Sequence, residues 1–101
     1  IDEFIECIRR AELVITAETA TMHISNILKK KTLSVVGGGY FSRFVEIKKK
    51  LYFNKNEKKV YSHMNCFNCH WNCKFEIRNG SYACIDKIET EEIIKNLKKL
   101  I

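Results

Sequence analysis

The sequence predicts an α/β domain, and more narrowly part of a Rossmann-like one, on three observations. A β-branched run, Leu13-Val14-Ile15-Thr16, passes directly into a segment with helical spacing at Met22, Ile24, Ile27 and Leu28, which reads as a parallel strand covered on both faces and feeding a helix. Strand-patterned and helix-patterned segments alternate along the chain, as they do in α/β folds. With 101 residues and 46% hydrophobic composition, the chain can bury one modest core, so a single domain is expected.

The first element is a helix from about Asp2 to Arg10, with Phe4, Ile5 and Ile8 turned inward. The strand Leu13 to Ala17 follows, and then a helix from Thr21 to Lys30. Thr19 or Thr21 is placed to cap that helix. The amides of Ala20, Thr21 and Met22 would then point out from the carboxyl end of the strand, where open α/β sheets bind ligands and the helix dipole favours a phosphate. A strand from Leu33 to Val36 leads into Gly37-Gly38-Gly39, which permit positive φ and close passage of backbone beside a ligand. The Gly-Lys-Ser/Thr ending of a P-loop is missing. The stretch Phe44 to Phe53 fits either a short helix or extended chain. A short strand around Val60-Tyr61-Ser62 precedes a cysteine-rich loop, and a closing helix from Thr90 to Ile101 aligns Ile93, Ile94, Leu97, Leu100 and Ile101 on one face. Thr90 is its expected cap, with Glu91 and Glu92 favourable in the first turn.

The segment Glu18-Thr19-Ala20-Thr21-Met22-His23 resembles the Asp-Thr-Gly-Pro-Met-His motif of glycosyltransferase family 9, the heptosyltransferase-like enzymes of bacterial surface-glycan synthesis. The resemblance continues through Tyr40-Phe41-Ser42-Arg43-Phe44, the cluster Cys66-Phe67-Asn68-Cys69-His70-Trp71-Asn72-Cys73, the pair Cys84-Ile85 and the closing helix, and covers about nine-tenths of the chain. It implies the C-terminal, donor-binding part of a GT-B enzyme, in which two Rossmann-like domains face each other across a cleft. The chain is therefore expected to be one piece of a larger protein, with the acceptor site and the catalytic base in a missing N-terminal domain. Glu18 and Ala20 stand where the family has aspartate and glycine, and the added bulk could shift which sugar is bound.

The resemblance also assigns roles. His23 would donate to the pyrophosphate of a nucleotide-sugar donor and stabilise charge on the leaving group, and Glu18 would contact sugar hydroxyls. Thr19, Ala20 and Thr21 would offer backbone amides and close approach, Met22 would pack under the turn near the donor, Gly38 would pass beside the ligand, and Arg43 could fork onto phosphate. No cofactor is implied for the chemistry, and the acceptor would be a glycolipid or other glycan. From the residues alone, His23 could equally be an uninvolved surface histidine, Glu18 a charge that favours the helix start, and Arg43 an internal ion-pair partner.

The cysteines form a second pattern, Cys66-x2-Cys69-x3-Cys73-x10-Cys84, with Cys7 left over. Four thiols within nineteen residues are enough for a structural zinc, with His63 or His70 able to replace one sulfur. The same spacing suits buried or disulfide-forming thiols that pin a loop. The chain carries a formal charge of +6 and a pI near 9.1. Ten of its eighteen Lys and Arg lie between Lys29 and Lys59, with only two acids among them. Such a rim could draw phosphorylated donors or touch an anionic membrane surface, or it could be a solvated lysine-rich face. No membrane span or signal peptide is read, so a cytoplasmic location with peripheral inner-membrane contact is expected.

Two other readings compete with the enzyme part, for which no nucleic-acid partner is expected. One is a zinc-stabilised basic nucleic-acid-binding module with Phe67, Trp71 and Phe75 as stacking platforms. The other is a non-catalytic interaction domain derived from the enzyme.

Overall fold

The structure is a computed structural model and describes residues 1–41, 53–77 and 79–101. Among these, three parallel strands form one sheet in the order β1 (Val14–Ala17), β2 (Thr32–Val35), β3 (Glu57–Val60). Four helices accompany them: α1 (Asp2–Arg10), α2 (Ala20–Ile27), α3 (Ala83–Asp86) and α4 (Thr90–Leu100). A strand, a helix and a second parallel strand in succession give a mixed α/β domain compatible with a partial Rossmann-like fold. Arg43 and most of the segment Phe44 to Phe53 lie outside the described residues.

Helix α1 has the expected bounds. Asp2 and Glu3 sit in its first turn and Arg9 and Arg10 in its last, each favourable to the helix dipole, and Glu6 pairs with Arg9 at 2.9 Å and with Arg10 at 3.2 Å. Its inward face is narrower than predicted. Ile8 is buried and Ile5 half-buried, while Phe4 stays 45% exposed, because α1 packs on α2 and makes no comparable contact with the sheet.

Helix α2 stops at Ile27, three residues before the predicted end, for a local reason. Lys29 takes a left-handed φ of 56°, its amide donates to Asn26 O, and the Lys30 amide donates to Ser25 O. That crossed pair of bonds is a Schellman motif, with lysine in the place usually held by glycine. The Lys30 ammonium then reaches the Arg9 carbonyl at 3.0 Å, tying the carboxyl end of α1 to that of α2.

The two faces of the sheet are built from different chemistry. In register, Ile15, Leu33, Lys58, Ala17, Val35 and Val60 point one way, and Val14, Thr32, Glu57, Thr16, Ser34 and Lys59 the other. The first face meets α4, where Leu33, Val60 and Leu100 form an apolar cluster with Leu13, Ile88, Ile93 and Leu97 packed around it. Because α4 covers β2 and β3 but not β1, Ile15 remains 57% exposed. The expectation that β1 is covered on both faces is corrected accordingly. On α4 itself Ile94 and Ile101 are 46% and 82% exposed, so of the predicted five-residue apolar face Leu100 is buried and Ile93 and Leu97 are half-buried. The cap also differs, with Glu89 at the N-cap and Thr90 inside the helix.

The second face meets α2 through polar groups. Ser25 and Thr32 share a hydrogen bond between hydroxyls. The Glu57 carboxylate accepts from Asn26 Nδ2 at 2.7 Å and from Ser34 Oγ at 2.9 Å, and pairs with Lys59. Asn54 donates to Asn26 Oδ1 and to the Lys30 carbonyl. A buried network satisfied in this way gives α2 one seat on the sheet. It also accounts for the position of β3, which begins three residues earlier than predicted. Glu57 and Lys59 are charged residues on an inward face, and period-2 hydrophobicity does not find them.

Candidate functional site

Three features meet at the carboxyl ends of β1 and β2. The first is the start of α2. Thr19 occupies the N-cap with extended backbone, but its side chain makes no capping bond; its hydroxyl lies 3.3 Å from that of Thr16. The Thr19 carbonyl accepts from the amides of Met22 and His23 at 3.0 and 3.4 Å, so the Met22 amide is used within the helix rather than pointed outward as expected. Ala20 and Thr21 are left as the first-turn donors. Thr19 and Ala20 are exposed, Thr21 and His23 half-buried. Met22 is 1% exposed and packs beneath the turn.

The second feature is Glu18. Burial pushes its carboxyl above the ordinary value of 4.5, against the opposing pull of a hydrogen bond from the Gly37 amide. Its Oε2 is buried with no hydrogen-bond partner among the described residues. Glu18 thus joins the end of β1 to the turn after β2, and keeps one buried oxygen unmatched among the described residues, beside a helix start.

The third feature is the glycine turn, whose role differs from the expected one. None of Gly37, Gly38 and Gly39 takes a positive φ; the described glycine that does is Gly80, at 74°. Side chains are excluded by ring contact instead. A Cβ on Gly38 would lie 2.2 Å from the Phe67 ring, and one on Gly39 would lie 2.2 Å from the Trp71 ring. On Gly37 it would meet the Trp71 rim at 2.4 Å and Glu18 Oε1 at 3.2 Å. The backbone is engaged as well. Gly38 O accepts from the Asn68 amide and Gly39 O from the His70 amide, both at 2.8 Å, while the Gly38 amide donates to Cys84 Sγ at 3.3 Å. Gly38, expected beside a ligand, therefore has both backbone groups bonded within the protein.

No family model, curated protein or solved structure matches this chain. Functional assignment accordingly rests on the residues themselves.

The cysteine loop is what the glycines receive. Its left-handed residues Asn68, His70 and Trp71 are unfavourable for side chains with a Cβ, and the two amide bonds to the glycine turn hold them there. His70 stacks on Tyr40 with ring centroids 4.9 Å apart, and His63 meets Phe67 edge-on at 4.9 Å. All five cysteines are free thiols. Cys7 is exposed on α1, whereas Cys66, Cys69, Cys73 and Cys84 line one small cavity with Gly38, Phe67 and Trp71. Among the described residues, no group of three or more His, Cys, Asp or Glu side chains stands where it could hold a metal ion. The fold thus brings Glu18 through His23 together at one place and the four cysteines at another, with the glycine turn between them. Arg43 lies outside the described residues.

A larger cleft of about 450 Å³ adjoins the cysteine cavity, sharing Met64, Phe75 and Ala83 with it, and is lined also by Lys74, Glu76, Asp86 and Lys87. No helix among the described residues is long and apolar enough to cross a membrane. Sequence reasoning missed helix α3, which has only four residues, and the contact of the aromatic rings with glycine. The run of three glycines followed by an aromatic-rich loop is the one signal that points to it.

Proposed function

We propose that this chain is the donor-binding part of an inverting glycosyltransferase of the GT-B type, transferring a heptose or similar sugar from an ADP-activated donor to a glycolipid or other surface glycan. The observation that carries the reading is the pairing of a helix start that no side chain caps with a carboxylate oxygen that has no partner among the described residues, both at the carboxyl ends of adjacent parallel strands. Helix starts of this kind suit a diphosphate, through their amides and dipole, and an unmatched carboxylate acceptor suits a sugar hydroxyl. In this reading the amides of Ala20 and Thr21 hold the pyrophosphate. His23 donates to it as negative charge grows on the departing nucleotide, and Glu18 orients the sugar. The catalytic base that deprotonates the acceptor comes from the other domain.

The exposed edge strand β1, with Ile15 uncovered, fits a sheet that continues into further chain. The Phe67 and Trp71 rings are occupied by the glycine turn, so of the three stacking platforms expected for the nucleic-acid alternative only Phe75 is exposed, at 45%.

Amide-resolved NMR titration with ADP, with UDP and a short oligonucleotide as controls, tests the proposal. Saturable shifts centred on Ala20 to His23 are expected. His23→Ala should weaken ADP binding about tenfold or more, since a hydrogen bond to a charged group contributes about 1.5–3 kcal/mol. Shifts with oligonucleotide alone, or ADP binding unaffected by His23→Ala, would overturn it.

A further inference from the structure

We infer that Cys66, Cys69, Cys73 and Cys84 bind a single Zn²⁺ through four thiolates, and that this ion is the clamp that seats the aromatic loop on the glycine turn. The four sulfur residues come from two separate places, three from the loop and Cys84 from α3, yet they line the same cavity. Four free thiols around one cavity are the donor set that a tetrahedral soft-metal site requires.

The chemistry of the lining selects the ion. Thiolates favour zinc or iron over the oxygen-seeking Mg²⁺ and Ca²⁺. The cavity holds about 10 Å³, close to the space one water-sized sphere needs, which suits one ion and not a multinuclear cluster. Neither His63 nor His70 lines it, because their rings pack on Phe67 and Tyr40, so the donor set is all sulfur. Among the described residues no three such side chains stand where they could hold a metal ion, so binding requires the sulfurs to turn toward one another. Rotation of each χ1 between staggered wells re-aims a sulfur without moving the backbone. The Gly38 amide donating to Cys84 Sγ supplies the outer hydrogen bond that stabilises a metal-bound thiolate. On binding, each thiol releases its proton to solvent, and four S–Zn bonds form with no change of oxidation state.

The reduced, metal-free protein titrated with Co²⁺ tests this inference, because cobalt reports the ligands directly. Expected are sulfur-to-cobalt charge-transfer bands and intense tetrahedral ligand-field bands that saturate at one equivalent and vanish when Zn²⁺ displaces the cobalt. Trp71, the one tryptophan of the chain, lines the cavity, so its fluorescence should change over the same equivalent of Zn²⁺. Cys84→Ser should weaken the charge-transfer intensity, whereas Cys7→Ser should leave it unchanged. Absence of these bands in the unaltered protein, bands that Cys7→Ser alters, or disulfides among the four cysteines in protein isolated without oxidant would overturn the inference. The readouts involve no nucleotide, so they stand or fall independently of donor binding.

Discussion

Replacing Gly38 with alanine is the sharpest probe of how the cysteine loop is held. The new Cβ would sit 2.2, 2.4 and 2.9 Å from three carbons of the Phe67 ring, where ordinary contact begins at 3.4 Å. The ring must retreat by roughly 1 Å, but it is flanked by Phe41 at a centroid distance of 4.7 Å and His63 at 4.9 Å. Overpacking of this kind costs about 1–3 kcal/mol. The backbone conformation adds nothing, since φ at Gly38 is not positive. The clash is therefore separable from the glycine itself. Phe67→Ala alone should cost about 2 kcal/mol for a half-buried ring. In that background Gly38→Ala should turn neutral, or stabilise by about 0.4–1 kcal/mol, because alanine restricts the unfolded chain. A double-mutant cycle from urea unfolding, followed by circular dichroism, measures the difference. Gly80→Ala is the control: nothing lies within 4 Å of its Cβ, and its cost of about 1–2 kcal/mol comes from a left-handed φ. Strictly additive costs for Gly38→Ala and Phe67→Ala would refute the reasoning.

Two further substitutions test the site and its support. Burial raises the Glu18 carboxyl above its unfolded value near 4.5, so between that value and the folded one the native state holds more protons than the unfolded chain. Stability linked to this group is complete below pH 4.5 and is lost as pH rises through the folded value. Glu18→Gln should remove that decline, gaining on the unaltered protein at pH 7 relative to pH 4 in urea midpoints; an equal difference at both pH values would contradict it. Asn26→Ala takes one donor from the Glu57 carboxylate and one acceptor from Asn54, and should cost about 1–3 kcal/mol. A loss under about 0.5 kcal/mol, the usual scale of surface changes, would show that the polar network does not hold α2 in place.

What the sequence alone determined is local. The bounds of α1, the junction of β1 with α2, the strand before the glycines and the closing helix follow from hydrophobic period and from charges near helix ends, which act over a few residues. The α/β class followed from the order of those elements. The tertiary structure decided what depends on partners far along the chain. That Glu57 and Lys59 are inward residues of a strand follows from Asn26 and Ser34, more than twenty residues away in sequence. That Gly37, Gly38 and Gly39 are small to admit the Trp71 and Phe67 rings, and not to adopt positive φ, follows from a loop about thirty residues on. The state of the Glu18 carboxyl likewise depends on tertiary burial, which raises it, and on the turn after β2, whose Gly37 amide bonds to it. Packing and burial are properties of pairs of segments, and a period read along one segment carries no information about which other segment will cover it.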